Sequence, residues 1–583
     1  MFFPPITRVI ALGSLSLLVQ GQTDWTGTPF ADPYAETLHI PPVKEPSLQV
    51  TNPVTNQPID YYEVDILPFQ KEIFSGLASN DMVGYDGMSP GPTFIIEKGR
   101  ETVVRFTNQA EDASVIHLHG SYSRSPWDGW AEDQINPGEY KDYYWPNSQS
   151  ARLSWYHDHA MDHTASNAYF GQAGAYIIRD PAEDSLNLPS GYGEYEIPLI
   201  LESKSYTPEG VLIAPGGATD GSQFTNIIHV NGKPWPYLNV EPRKYRFRLL
   251  DASIARTFVL FLSGSADGEK TPFQVISSDS GLLPEPVTTE TLSIGMAERY
   301  DIVVDFAPLA GQNITLRNQA TAAADSFEEI NNIVRFVVND VAVADDSSVP
   351  PTLRTLPDTP ASSSDEADHT FRFTNNNGRW TINDVGFSEA NNRVLANVPR
   401  GTVEIWELQH LGGPVHPIHV HLVDFRVLSR TGGTRSVEAY ESAGLKDVVW
   451  LGSGETILLE AWYAPWDGLY MFHCHNMQHE DNEMMAAFNI TKLEDFGYPE
   501  TSFADPMEER WRAVAIEDEV YTTEAVQSKI EEMALLEPYN NVAEVEAALS
   551  EYWSNLETAT RRDEEAVVKA RRISRIQRTV DDY

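Results

Sequence analysis

The segment His473-Cys474-His475-Asn476-Met477-Gln478-His479-Glu480-Asp481-Asn482-Glu483-Met484 carries the only cysteine of a 583-residue chain, with a histidine on either side of it. In an extended strand residues i and i+2 share a face, so His473 and His475 project together while Cys474 projects the opposite way. One cysteine cannot form an intramolecular disulfide. A buried inert thiol, the ordinary alternative, gives no reason for flanking imidazoles. A further histidine and a thioether follow at His479 and Met484.

Three more His-x-His pairs occur: His117-Leu118-His119, His157-Asp158-His159, and the second half of His416-Pro417-Ile418-His419-Val420-His421. Read as strands, each presents two imidazoles to one point. His416 sits at an odd offset from His419 and His421, so it faces away from them, as Cys474 faces away from its neighbours. His416 and Cys474 can therefore meet on the far side of the cluster, joined by His479 and Met484. Two imidazoles, a thiolate and a weak thioether make the ligand set of a blue-copper electron-transfer site. Zinc would account for the histidines and cysteine but not for the methionine. The four pairs supply eight imidazoles for three more copper ions to share, giving four ions in all. The backbone joins the two sites, because Cys474 is bonded to both His473 and His475. The remaining five of the 15 histidines, His39, His163, His229, His369 and His410, lack this pairing and are expected in structural or surface roles.

Outward from these motifs, residues 35 to 500 read as β-rich, with short Val, Ile, Thr, Phe and Tyr runs broken by Gly, Pro, Asn and Asp. A weak repeat runs through Phe94–Phe106, Leu238–Leu249 and Val398–Leu408. Each is a turn leading into an alternating strand, and the copies lie roughly 150 residues apart, about one domain length. The expected fold is all-β: three sandwich or Greek-key barrel domains in series, over 35–195, 196–345 and 366–500. A Pro-, Ser- and Asp-rich linker from Asp340 to Asp368 precedes the third. The extension 501–583 changes character. Val542, Val545, Leu549, Trp553 and Leu556 recur at helical spacing, and a basic tail begins at Arg561. That tail can dock on the acidic body, be removed by proteolysis, or form an oligomer contact.

The 41 basic and 85 acidic residues give a formal charge of −44, which argues against nucleic acid or an anionic membrane as partner. Residues 1–21 read as a secretory signal: Arg8, the mostly apolar run Val9–Val19, then the small Gly21. That run is short of the roughly 20 residues a membrane span needs. Export and release are expected, with Asn-x-Thr sequons at Asn313 and Asn489 as candidate glycosylation sites.

Taken together the motifs resemble those of the multicopper oxidases. His416–Phe425, Gly444–Trp450 and Met471–Phe488 look most like the fungal bilirubin oxidase, phenol oxidase and laccase-like branch. The resemblance implies three cupredoxin-like domains and four copper ions. It implies His416, Cys474, His479 and Met484 at type 1 copper and His117 and His419 at type 2. His119, His157, His159, His421, His473 and His475 match the type 3 pair. It further implies single electrons taken from a small aromatic reductant and dioxygen reduced to water, with Asp128 and Glu480 as acids beside the cluster. This chain departs from bilirubin oxidases in one place: their Trp two residues before the first type 1 histidine is here Pro414, next to Val415. A phenol, aminophenol or related aromatic is therefore the expected substrate ahead of bilirubin. A metallo-oxidase of Fe(II) or Cu(I) would be expected to show a Met-rich insertion, and the 11 methionines are spread along the chain. A secreted copper protein without turnover would have lost type 2 or type 3 positions, and all of them are filled.

Overall fold

Each copy of the repeat is a corner where the chain changes sheet. Strand Gly91–Glu97 turns into Glu101–Asn108, Tyr237–Val240 into Lys244–Asp251, and Val394–Pro399 into Val403–His410. The two strands of each corner lie in different sheets. The first pairs in parallel with Ala173–Arg179, Asn332–Val338 or Met485–Thr491. The second pairs in parallel with Pro58–Glu72, Glu196–Lys204 or His369–Asn376. Parallel neighbours need crossover connections, so the pattern is Greek-key rather than a meander.

The computed structural model describes residues 33–215, 227–265, 268–319, 331–357, 362, 366–493, 503–539 and 542–560. Within them the corners join three pairs of sheets, of six and four, seven and six, and five and five strands. Aromatic side chains meet between the two sheets of each pair: Phe106 and Tyr156 at 6.1 Å, Phe247 and Phe336 at 4.7 Å, Trp406 and Phe472 at 5.4 Å between ring centroids. Packing of this kind buries one face of each sheet. The first and third pairs share one continuous apolar core, while the second has its own.

The half-exposed alternation expected for the strands after each corner fails in the first and second units, where Glu101–Asn108 and Lys244–Asp251 are buried beyond their first residue. The short helix Pro181–Asp184 covers the outer face of the latter, and Arg246 and Arg248 ion-pair there with Asp301 and Glu183. The alternating polar residues thus mark a second buried layer, neutralised by paired carboxylates.

The C-terminal extension is more than one helix and a tail. Val514–Ala515 adds an antiparallel strand to Glu139–Trp145 in the first unit. Helix Thr523–Leu535 follows, its first turn capped by the Thr522 hydroxyl, which accepts from Ala525 N. Tyr539 then inserts against Trp127, Tyr144 and Trp466, donating its hydroxyl to the Tyr144 carbonyl at 2.7 Å and accepting from Arg124 N at 3.1 Å. The expected helix is Val542–Thr560: Val545 and Leu549 are buried, and Trp553 Nε1 donates to the Arg400 carbonyl. This helix packs on the third unit. The basic tail from Arg561 and the leader 1–21 lie outside the described residues.

Tyr539→Ala should lower stability by about 3–5 kcal/mol, as for other large buried rings, read as an earlier thermal unfolding transition. An unchanged transition would mean that the extension merely rests on the body. His229 yields a pH prediction. Burial, then Lys204 and Lys71, hold its imidazole well below the ordinary value. Below about pH 6.5 the unfolded chain therefore binds a proton that the folded chain refuses, and this contribution to stability falls as pH drops. His229→Gln should make the unfolding temperature less pH-dependent between about pH 6.5 and 5 than in the parent; an identical slope would contradict it.

Candidate metal centre

The His-x-His segments lie on neighbouring strands, two in one sheet of the first unit and two in one sheet of the third, where these units face each other. Ile116–His119 pairs with Arg152–Asp158, setting His117 opposite His157. His416–Val420 pairs with Gly468–Cys474, setting His419 opposite His473 and Ile418 opposite Cys474. His416 shares the Ile418 face by alternation, so His416 and Cys474 lie together behind the histidines. His159, His421 and His475 fall just past the strand ends. Their backbones are held in line by His159 N to Val115 O at 2.8 Å, His421 N to Met471 O at 3.1 Å, and His475 N to Pro417 O at 2.6 Å.

On the histidine side the protonation pattern can be derived. His117, His157 and His419 each set Nδ1 against a backbone carbonyl, of Asp128, Asp158 and Asp447 at 2.5, 2.8 and 2.8 Å. A carbonyl only accepts, so Nδ1 carries the proton. Burial, followed by the neighbouring histidines, drives all three imidazoles well below their ordinary pKa. They are neutral, and each Nε2 is a bare lone pair. Yet His117 Nε2 lies 3.3 Å from His419 Nε2. Similarly, His159 and His421 Nε2 lie 3.1 and 3.2 Å from His473 Nε2. His119 Nδ1, His157 Nε2 and both ring nitrogens of His475 are buried without a hydrogen-bond partner among the described residues. Lone pairs turned toward one another in a dry interior are costly unless they share a cation. Nitrogen donors of this kind suit copper.

On the other side, His416 Nδ1 is 3.3 Å from Cys474 Sγ, and His479 Nδ1 is 3.1 Å from His416 Nδ1 and 3.8 Å from the sulfur. Asn476 N donates to Sγ at 3.4 Å. Met484 is fully buried; its carbonyl accepts from Cys474 N and its N donates to the His479 carbonyl, closing the ligand loop. Burial pushes the Cys474 thiol well up, so a thiolate there calls for a bound cation. These three side chains, like several histidine trios on the opposite face, have donor atoms close enough to hold one metal ion.

Both acids lie at the cluster. Asp128 Oδ2 is 2.7 Å from His421 Nδ1, and burial raises its carboxyl well above the usual range. Glu480 sits 3.1 Å from His473 Nδ1 and 3.4 Å from His159 Nδ1. Burial would raise Glu480, but those two imidazoles outweigh it and hold the carboxyl at about 2. Of the five unpaired histidines, His39 is exposed, His163 precedes the helix Thr164–Phe170, His229 bonds Tyr206, and His369 lies beside Glu404. His410 is the exception. Its ring lies 4.5 Å from that of His416, with Nδ1 donating to the Gly452 carbonyl. Sequence reading also passes over Trp380, stacked on His479 at 3.9 Å, and Asp447, which accepts from His119 Nε2 at 3.1 Å. Asp447 stands in the Gly444–Trp450 stretch noted above, but no spacing distinguishes it.

The comparisons agree with this geometry. Family profiles of the multicopper oxidases match residues 70–183 and 358–494. The bilirubin oxidase of Albifimbria verrucaria is 54% identical over 519 residues, covering 86% of this chain and 90% of that protein. A laccase of Bacillus subtilis (strain 168) is 32% identical, covering 79% of this chain and 98% of the laccase. Among solved structures, the McoA multicopper oxidase of Aquifex aeolicus superposes with a TM-score of 0.69 at 28% identity, over 78% of this chain and 99% of that one. The all-β fold is thus of the cupredoxin-like kind. With its sequence relatives, fold and facing imidazoles in accord, the chain belongs to the multicopper oxidase family, oxygen-dependent enzymes that carry four copper ions of types 1, 2 and 3.

Proposed function

We propose that this chain oxidises phenols or related small aromatics, one electron at a time, with dioxygen as acceptor. His416, Cys474, His479 and Met484 would hold type 1 copper, and His117 and His419 type 2. His119, His157, His159, His421, His473 and His475 would hold the type 3 pair. Bound there, copper supplies one-electron uptake from the reductant and reduction of dioxygen to water. The observation that carries the reading is the set of neutral, carbonyl-anchored imidazoles whose Nε2 atoms face one another beside a separate His–Cys–His group.

The protein's own residues do the rest. Cys474 lies in the backbone between His473 and His475, a covalent path from one group to the other. Asp128, whose carboxyl burial pushes well above the usual range, can hold a proton at Oδ1, which has no hydrogen-bond partner among the described residues, while Oδ2 orients His421. Glu480 lies between His159 and His473, within ion-pair distance of both, where it can orient their rings. The loop from Leu411 to Pro414 is exposed beside His410 and His416, and Leu411 is 71% exposed. Leu411 and Pro414 give this exposed loop an apolar surface that suits a flat reductant, while the buried indole of Trp380 stacks on His479 behind it. The bilirubin oxidase relative favours bilirubin as a second reading; Pro414 in the exposed rim, where those enzymes carry an indole, favours the smaller phenol.

The three sheet pairs correspond in this reading to domains 35–195, 196–345 and 366–500. The leader 1–21 and the sequons support export and release as a glycoprotein. Asn313 is exposed, whereas Asn489 Nδ2 is engaged with Asn397, so Asn313 is the better acceptor. Among the described residues no helix is long and apolar enough to cross a membrane.

Oxygen uptake by copper-loaded protein should show kcat/KM for a phenol at least about 10-fold, or ~1.4 kcal/mol, above those for bilirubin and Fe(II). Blue, four-copper protein that consumes no oxygen with any phenol would contradict the proposal. His419→Ala should keep the blue absorption while oxygen reduction fails; surviving activity would remove His419 from the cluster.

A further inference from the structure

One histidine of the cluster is turned the other way round. His117, His157 and His419 anchor Nδ1 outward and point Nε2 inward. His119 instead gives Nε2 to Asp447 Oδ1 at 3.1 Å and leaves Nδ1 buried without a partner. Its ring stacks on that of His419 at 3.7 Å, well within the group. Asp447 is gripped in turn by Arg299, whose Nη1 and Nη2 meet its two oxygens at 2.5 and 2.6 Å. Such a bidentate fork leaves the carboxylate one orientation.

Arg299 is itself fully committed. Nε donates to the Leu153 carbonyl, Nη1 also to that of Ala297, and Nη2 also to that of Asp279, so all five guanidinium protons have acceptors. Asp279 receives Arg299 N at 2.7 Å and pairs with Lys446 at 2.9 Å, which reaches Glu298 at 3.1 Å. Every member of this network is buried. Gly120, the residue after His119, supplies an independent observation. Its φ is +89°, and a Cβ there would lie 2.9 Å from Arg299 Nη2 and 3.1 Å from Asp447 Oδ2. The backbone that carries His119 is thus pressed directly on the ion pair.

We propose that Arg299 and Asp447 are positioning residues for the cluster. They hold His119 in the tautomer with Nε2 protonated and Nδ1 presented to copper, the reverse of the carbonyl-anchored histidines. Arg299 lies on strand Arg299–Asp305 of the second unit, which holds none of the histidines assigned to copper. Through this ion pair the second unit takes part in the cluster. The inference rests on the proposed copper role of His119.

The test uses full-length, copper-loaded Asp447→Asn and Arg299→Lys proteins beside the parent. Bound copper per chain, blue absorption, the type 2 and type 3 spectroscopic signals, and kcat and KM for a phenol are measured. Both variants should keep the parent's blue absorption and KM, lose cluster copper or its type 3 signal, and drop in kcat by about 10–100-fold. Four coppers with parental cluster signals and kcat in both variants would overturn the proposal. So would joint loss of the blue absorption and the cluster copper, since the pair would then hold the fold rather than one imidazole. A parent that fails to bind four coppers would instead strike at the copper assignment itself.

Discussion

Antiparallel pairing of His416–Val420 with Gly468–Cys474 is the constraint from which the rest of the centre follows. The register sets His419 against His473 and Ile418 against Cys474. A strand alternates faces with a period of two, so a slip by one residue would exchange imidazoles for sulfur. With this register, one surface of the ribbon faces Ile116–His119 and Arg152–Asp158 of the first unit. The opposite surface faces the loop that carries His479 and Met484. Two chemically different sites are separated by the thickness of one strand and joined by its backbone.

Around that ribbon the protein spends its polar groups on orientation. Backbone carbonyls of Asp128, Asp158 and Asp447 fix three tautomers, and the carboxylates of Asp128, Glu480 and Asp447 touch four more imidazoles. Buried donor atoms left facing each other cost stability in the metal-free chain. Metal affinity and folding are therefore linked, and the shared apolar core of the first and third units keeps the two halves of the cluster in contact. The C-terminal strap reinforces the same junction, since Tyr539 touches Trp127 of the first unit and Trp466 of the third.

Most of the site was legible in the sequence because its information is local. His-x-His spacing and the odd offset of His416 are properties of strand geometry, and they place the sulfur on the correct side without a structure. The corners of the Greek keys were legible for a similar reason, as turn residues followed by β-branched runs. Tertiary effects were not. Simple alternation would turn Arg246 and Arg248 to solvent, yet a helix laid over them makes them core ion pairs. Trp380, Asp447 and Arg299 reach the site from distant segments, and His410, six residues before His416, lies outside its strand, so no spacing within one strand marks them. The helix Thr523–Leu535 has only four buried residues, and its weak apolar stripe explains why it did not stand out.

Anomalous diffraction at the copper edge from crystals of the loaded full-length protein tests the central claim most directly. The account predicts one peak among His416, Cys474, His479 and Met484, and three among the eight paired histidines, with His119 ligating through Nδ1. Peaks missing from either group, or His119 bound through Nε2 with Asp447 turned away, would contradict it.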